Sequence, residues 1–195
     1  MSRRLVVALL LAAVAVAAGV AWLAFGRSGP PRPAAFAGEP TSAMYSPIDT
    51  RAADPRPLTV AEVFGQARVG SLVRGETAEF ADCAEVLDGV SAPGCTQALR
   101  AVYGGGPVAG QFVVFNMPDG RAADALVAAL GRDGFVRQAA PFDAARSRAQ
   151  VRALGHYVTV SWIGPVSGSP DLSDPHVHLD GLAAKAIQAR VVAAL

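Results

Sequence analysis

The stretch TQALRAVYGGGPVAGQFVVFNM, residues 96–117, holds the reading on which the fold turns. Residues 96–103 and 108–117 predict two strands joined by a turn at Gly104-Gly105-Gly106-Pro107. The second strand is apolar on both of its faces, the pattern of a central strand covered from two sides. The glycine run is no phosphate cradle, because Pro107 and Val108 follow it where a helix would have to open.

Outward from this hairpin, Asp119 predicts the cap of a helix that places Ala123, Leu126, Val127 and Leu130 on one face, and Gly131 and Gly134 end it. A second strand pair, roughly residues 147–154 and 157–164, flanks Gly155-His156. That dipeptide suits a two-residue hairpin turn with glycine first, which puts His156 at a solvent-exposed tip. The last helix takes Ser173 or Asp174 as cap, Pro175 in its first turn, and a buried stripe through Leu179, Leu182 and Ile187. Upstream, Thr59 and Glu62 have the spacing of a capping box, and Asp82 caps a further turn. Two strands and a helix, twice over, predict an α+β domain: a four-stranded, mostly antiparallel sheet with helices packed on one face.

Residues 5–25, LVVALLLAAVAVAAGVAWLAF, carry no charged side chain. A helix needs ~20 apolar residues to cross a hydrocarbon core, so the run predicts a transmembrane helix. Arg3 and Arg4 precede it, which keeps residues 1–4 cytoplasmic and makes the segment a signal anchor; Trp22 lies toward the outer interface. The rest of the chain is then extracytoplasmic, held at the cell membrane by a single pass. The alternative is a signal peptide cleaved near Ala15, Ala17 and Ala18, giving a secreted protein. The apolar run outlasts the ~7–15 residues of a signal core, which favours the anchor. Residues 26–58 hold seven of the 14 prolines and lack apolar periodicity, so they predict a Pro-rich flexible linker. Residues 59–195 have the size of one domain.

That domain carries 11 basic and 13 acidic side chains, net −2 with His neutral, and offers no basic surface for nucleic acid. The sequence contains no G-x-S-x-G, H-E-x-x-H, P-loop or G-x-G-x-x-G pattern, so neither a catalytic residue nor a cofactor is expected. Cys83 and Cys95 bracket a Gly- and Pro-containing loop and, in an exported domain, read as a disulfide; a redox pair or metal thiolates are the alternatives. His176 and His178, among Asp171, Asp174 and Asp180, are weak candidates for a metal site. On a helix, positions i and i+2 point about 200° apart, and the polar start of a helix accounts for the same residues.

If Val151, Ala153, Val158, Val160 and Trp162 face the helices, then Gln150, Arg152, Tyr157, Thr159 and Ser161 project from the opposite sheet face, with Arg100 joining from the first hairpin. Aromatic, hydroxyl and guanidinium groups together suit a polar or anionic partner such as a wall glycan or peptide; an ordinary solvated sheet face is the competing reading.

With ADCAEV, GCTQALRAVY, VVFNM and VTVSWIGPV, the chain resembles small uncharacterised single-pass membrane-anchored proteins of actinomycetes, of the streptomycete type. The resemblance spans most of residues 60–195, supports a Cys83–Cys95 disulfide and carries over no catalytic residue. The expectation is a non-enzymatic extracytoplasmic module that binds a cell-wall component or another membrane protein. A ligand-sensing accessory subunit acting through a membrane partner, and an exported hydrolase or metal-dependent enzyme with dispersed His and Asp residues, are the alternatives.

Overall fold

The computed structural model describes residues 29–195, so the apolar segment 5–25 lies outside the described residues. Among the described residues, no helix is long and apolar enough to cross a membrane.

The hairpin at the centre forms as β5 (Gln97–Gly105) and β6 (Val108–Asn116), in register from Gln97 opposite Asn116 to Gly105 opposite Val108. Their neighbours are β1 (Ala35–Glu39), β2 (Arg68–Val69), β3 (Leu72–Phe80), β8 (Arg148–Leu154) and β9 (Tyr157–Pro165). Together they make a curled seven-stranded sheet in the order β1-β8-β9-β6-β5-β3-β2. All its pairings are antiparallel except β1 with β8, so the sheet is mixed. A separate two-stranded sheet joins β4 (Leu87–Asp88) to β7 (Phe135–Val136).

The expected four-stranded sheet with helices on one face is therefore corrected on both counts. Every residue of β6 and β9 is buried, and strands buried on both faces need cover on both sides. The helix α2 (Gly120–Arg132) fills one side, where Leu126, Val127 and Leu130 meet Val113, Val151, Val160 and Trp162. On the other side lie α1 (Val60–Phe64), α3 (Ser173–Asp180) and α4 (Leu182–Ala193), which bring Phe64, Leu179 and Ile187 onto Leu99, Phe112 and Val114.

The linker expected over residues 26–58 is also corrected where the structure describes it. Ala35–Glu39 adds as the edge strand β1, and Ala43–Ile48 forms a 3₁₀ turn whose Ile48 is fully buried. Arg32 fixes the approach to β1 by donating to the carbonyls of Leu130, Gly131 and Gly134 at the end of α2. Proline here shapes turns between ordered pieces; it does not mark a flexible coil.

The segment that follows β1 clasps the β8–β9 hairpin. Gly155 opens a two-residue turn with φ +64° and, since among the described residues none other than glycine has positive φ, the turn is of the II′ kind. The Gly155 amide donates to Thr41 Oγ1, and the His156 amide and Nδ1 both reach the Ile48 carbonyl. His156 is accordingly buried, where an exposed hairpin tip was expected.

Candidate functional site

The register of β8 on β9 sets Gln150 opposite Ser161 and Arg152 opposite Thr159, so these four side chains share one sheet face with Tyr157. That face is roofed by α3, α4 and the 43–48 turn. Tyr157, Thr159 and Ser161 are buried beneath it, while Gln150 and Arg152 stay half-buried toward the β1 edge. The amide nitrogen of Gln150 has no hydrogen-bond partner among the described residues. Arg100 does not join them: it pairs in register with Val113 on the other face, its guanidinium 4.9 Å from the Phe80 ring centroid.

Where the polar face meets α3, four side chains interlock. Ser161 Oγ lies 3.0 Å from Asp180 Oδ1 and 3.2 Å from His176 Nε2. Arg152 sends Nε and Nη2 to Asp180 Oδ2 at 3.0 and 2.9 Å, and its Nη1 pairs with Glu39 of β1. Burial works against the Arg152 charge, but the Asp180 hydrogen bonds and the Glu39 charge outweigh it and hold the guanidinium above its ordinary value. Burial pushes the His176 imidazole below its usual range, against the opposing pull of Ser161 and Asp180.

The direction of the protons follows. A serine hydroxyl has one hydrogen, and the charged carboxylate of Asp180 is the stronger acceptor for it. Ser161 therefore accepts from the Nε2–H of a neutral His176 ring. This is the reverse of a nucleophile–base pair, in which the imidazole would receive the serine proton.

The two histidines of the metal reading part company. His176 turns to Ser161, whereas His178 lies over Gly70, with its Nε2 3.6 Å from Asp174. Among the described residues, no three His, Cys, Asp or Glu side chains stand together as a metal-holding group. Cys83 and Cys95 form a disulfide, with an S–S distance of 2.00 Å, and no free cysteine remains.

Beside the interlocked cluster a cleft of about 310 Å³ opens between the turn after β1 and the α3–α4 elbow. Glu39, Tyr45, Arg152 and Asp180 face it, with Ser42 and Met44 on the rim. Tyr45 is half-buried, and burial raises its hydroxyl above its ordinary value. Sequence reasoning missed Glu39 and Tyr45, because both sit in the stretch read as a linker. It placed Asp180 among the acidic residues around the His176–His178 metal candidates or in the polar start of a helix, and not beside Arg152.

A second charged centre, Arg190, closes the far end of the same face. It grips Glu62 with two hydrogen bonds of 2.7 and 2.8 Å, donates to Asp54 at 2.8 Å, and reaches the carbonyls of Arg56 and Pro57. The Tyr157 hydroxyl donates to the other Asp54 oxygen at 2.7 Å, and burial together with this bond pushes its pKa strongly upward. The only sequence cue was an arginine falling within the apolar stripe of the last helix.

Comparison with protein-family models, with curated proteins and with solved structures finds no match to the chain. The chemistry of the site is the basis for its reading.

Proposed function

We propose that the chain is a non-enzymatic extracytoplasmic binding module, carried outward by segment 5–25, and that the Glu39–Tyr45–Arg152–Asp180 cleft takes a cell-wall glycan. One observation carries the reading: a guanidinium held between two carboxylates, at an open cleft that also presents a half-buried tyrosine. Sugar hydroxyls donate and accept at once, and a fixed row of carboxylate and guanidinium groups offers both complements. The Tyr45 ring supplies an apolar surface with a polar tip. An anionic ligand is less well served, because Glu39 and Asp180 together already outnumber the Arg152 charge.

The test is a calorimetric titration of the full chain with a soluble N-acetylglucosamine oligomer such as chitotetraose. Saturable binding is expected, weakened at least tenfold by Tyr45→Ala and by Glu39→Gln. No heat with wild-type protein, or binding indifferent to both substitutions, would remove this reading.

A further inference from the structure

Away from that cleft, a second groove of about 340 Å³ runs between α1 with the following β2–β3 turn and the α3–α4 elbow. Its volume is within the ~300–1,000 Å³ of small-molecule sites. Val63, Val69 and Leu182 are apolar side chains of its lining, each buried to within 7% exposure, while Arg68, Lys185 and His178 carry the basic groups of its walls.

The charge arrangement inverts that of the Arg152 cleft. The acidic side chain on this groove, Glu62, has both carboxylate oxygens held by Arg190, and those bonds keep its pKa below the usual range. Arg68 and Lys185, both exposed, form no ion pair and no side-chain hydrogen bond among the described residues. Two uncompensated cations beside an apolar lining complement an anion that carries an aliphatic tail.

We propose that this groove binds a small amphiphilic carboxylate, with its headgroup taken by Arg68 and Lys185 and its chain laid on Val63, Val69 and Leu182. Lys185 is the single lysine of the sequence, which gives a direct reporter. Reductive methylation with ¹³C-formaldehyde labels Lys185 and the α-amino group, keeps both charges and yields resolvable NMR signals.

Titrating the labelled full chain with octanoate should move the Lys185 methyl signal saturably and leave the α-amino signal in place. Acetate, which lacks the tail, and octanol, which lacks the charge, should each bind at least tenfold more weakly. Arg68→Gln, a change at an exposed position, should weaken octanoate at least fivefold. No saturable shift with octanoate, an equal response to acetate or octanol, or unchanged affinity in Arg68→Gln would each overturn the proposal.

Discussion

Arg190 donates to Asp54 at 2.8 Å across 136 residues of chain, and both side chains are more than nine-tenths buried. The bond ties the stretch before α1 to the last helix. Because Glu62 and Tyr157 complete the cluster, one guanidinium bridges two carboxylates, and Asp54 also accepts the Tyr157 hydroxyl.

Replacing Arg190 with methionine should destabilise the fold by about 3–5 kcal/mol, because Asp54 and Glu62 would be left without their counter-charge. The loss should shrink in the triple variant Arg190→Met, Asp54→Asn, Glu62→Gln, which removes the stranded charges as well. Urea unfolding midpoints of the three proteins read this out; equal losses in the single and triple variants would contradict it.

Acid should unfold the protein in two separable windows. His156 is buried, donates Nδ1 to Ile48, and has no hydrogen-bond partner for Nε2 among the described residues. Burial holds its pKa below 6.5. A group whose folded pKa is depressed takes up its proton more readily when unfolded, so stability falls as pH drops below about 6.5. His176, depressed for the same reason, adds to that window. The Arg190 hydrogen bonds hold Glu62 below 4.5, so its contribution is complete above that pH and disappears only in stronger acid. Thermal midpoints taken from pH 7.5 to 3 should show both steps. His156→Gln, which keeps a donor for Ile48, should flatten the first and Glu62→Gln the second.

The Cys83–Cys95 bridge closes a separation of 12 residues and fastens the turn after β3 to the start of β5. Substituting both cysteines with serine should cost about 3 kcal/mol, chiefly by freeing the unfolded chain. Protein taken from cells under thiol-blocking conditions should carry no alkylated cysteine. Two blocked thiols would place the domain in a reducing compartment and contradict the proposed export.

Two turn glycines separate backbone strain from tertiary contact. Gly106 and Gly155 have φ of +57° and +64°, but a Cβ on Gly106 meets nothing while one on Gly155 meets the Ile48 carbonyl at 2.5 Å. Gly155→Ala should therefore cost at least about 1 kcal/mol more than Gly106→Ala, the backbone penalty being common to both. Equal losses in chemical denaturation would mean that the 41–48 segment does not clasp the hairpin.

Much of the centre could be read directly from the sequence. The apolar run of β6, the alternation of β9, the glycine-first turn at Gly155 and the side-chain oxygens of Thr59, Asp82 and Asp119 accepting from Glu62, Ala84 and Ala122 all obey local rules. The edges of the sheet do not. β3 mixes Arg74, Glu76 and Glu79 with small residues because it is half-exposed and bulged near Gly75, so alternation fails there. β1 is five exposed residues, AFAGE, held by backbone pairing to β8, and a strand secured in that way leaves no hydrophobic signature. The same gap hid the cleft. Gln150, Arg152 and Ser161 fell on one face by period-two counting, but Glu39 and Tyr45 reach them only through that unread strand. The covering of the face by α3 and α4 was hidden too, although β6, apolar on both sides, required it.

The parallel docking of β1 on β8 also fixes an order of events. Glu39 meets Arg152 only after 113 further residues have been made. At ~5–20 residues per second of synthesis, that is on the order of ten seconds. During that interval β1 has no partner and the hairpin it completes does not yet exist. The last helix, with Arg190, arrives later still. Folding from the first residues onward is thus closed to this topology, and completion of the sheet edge must wait until β8 and β9 have emerged, whether from a ribosome or through a translocation pore.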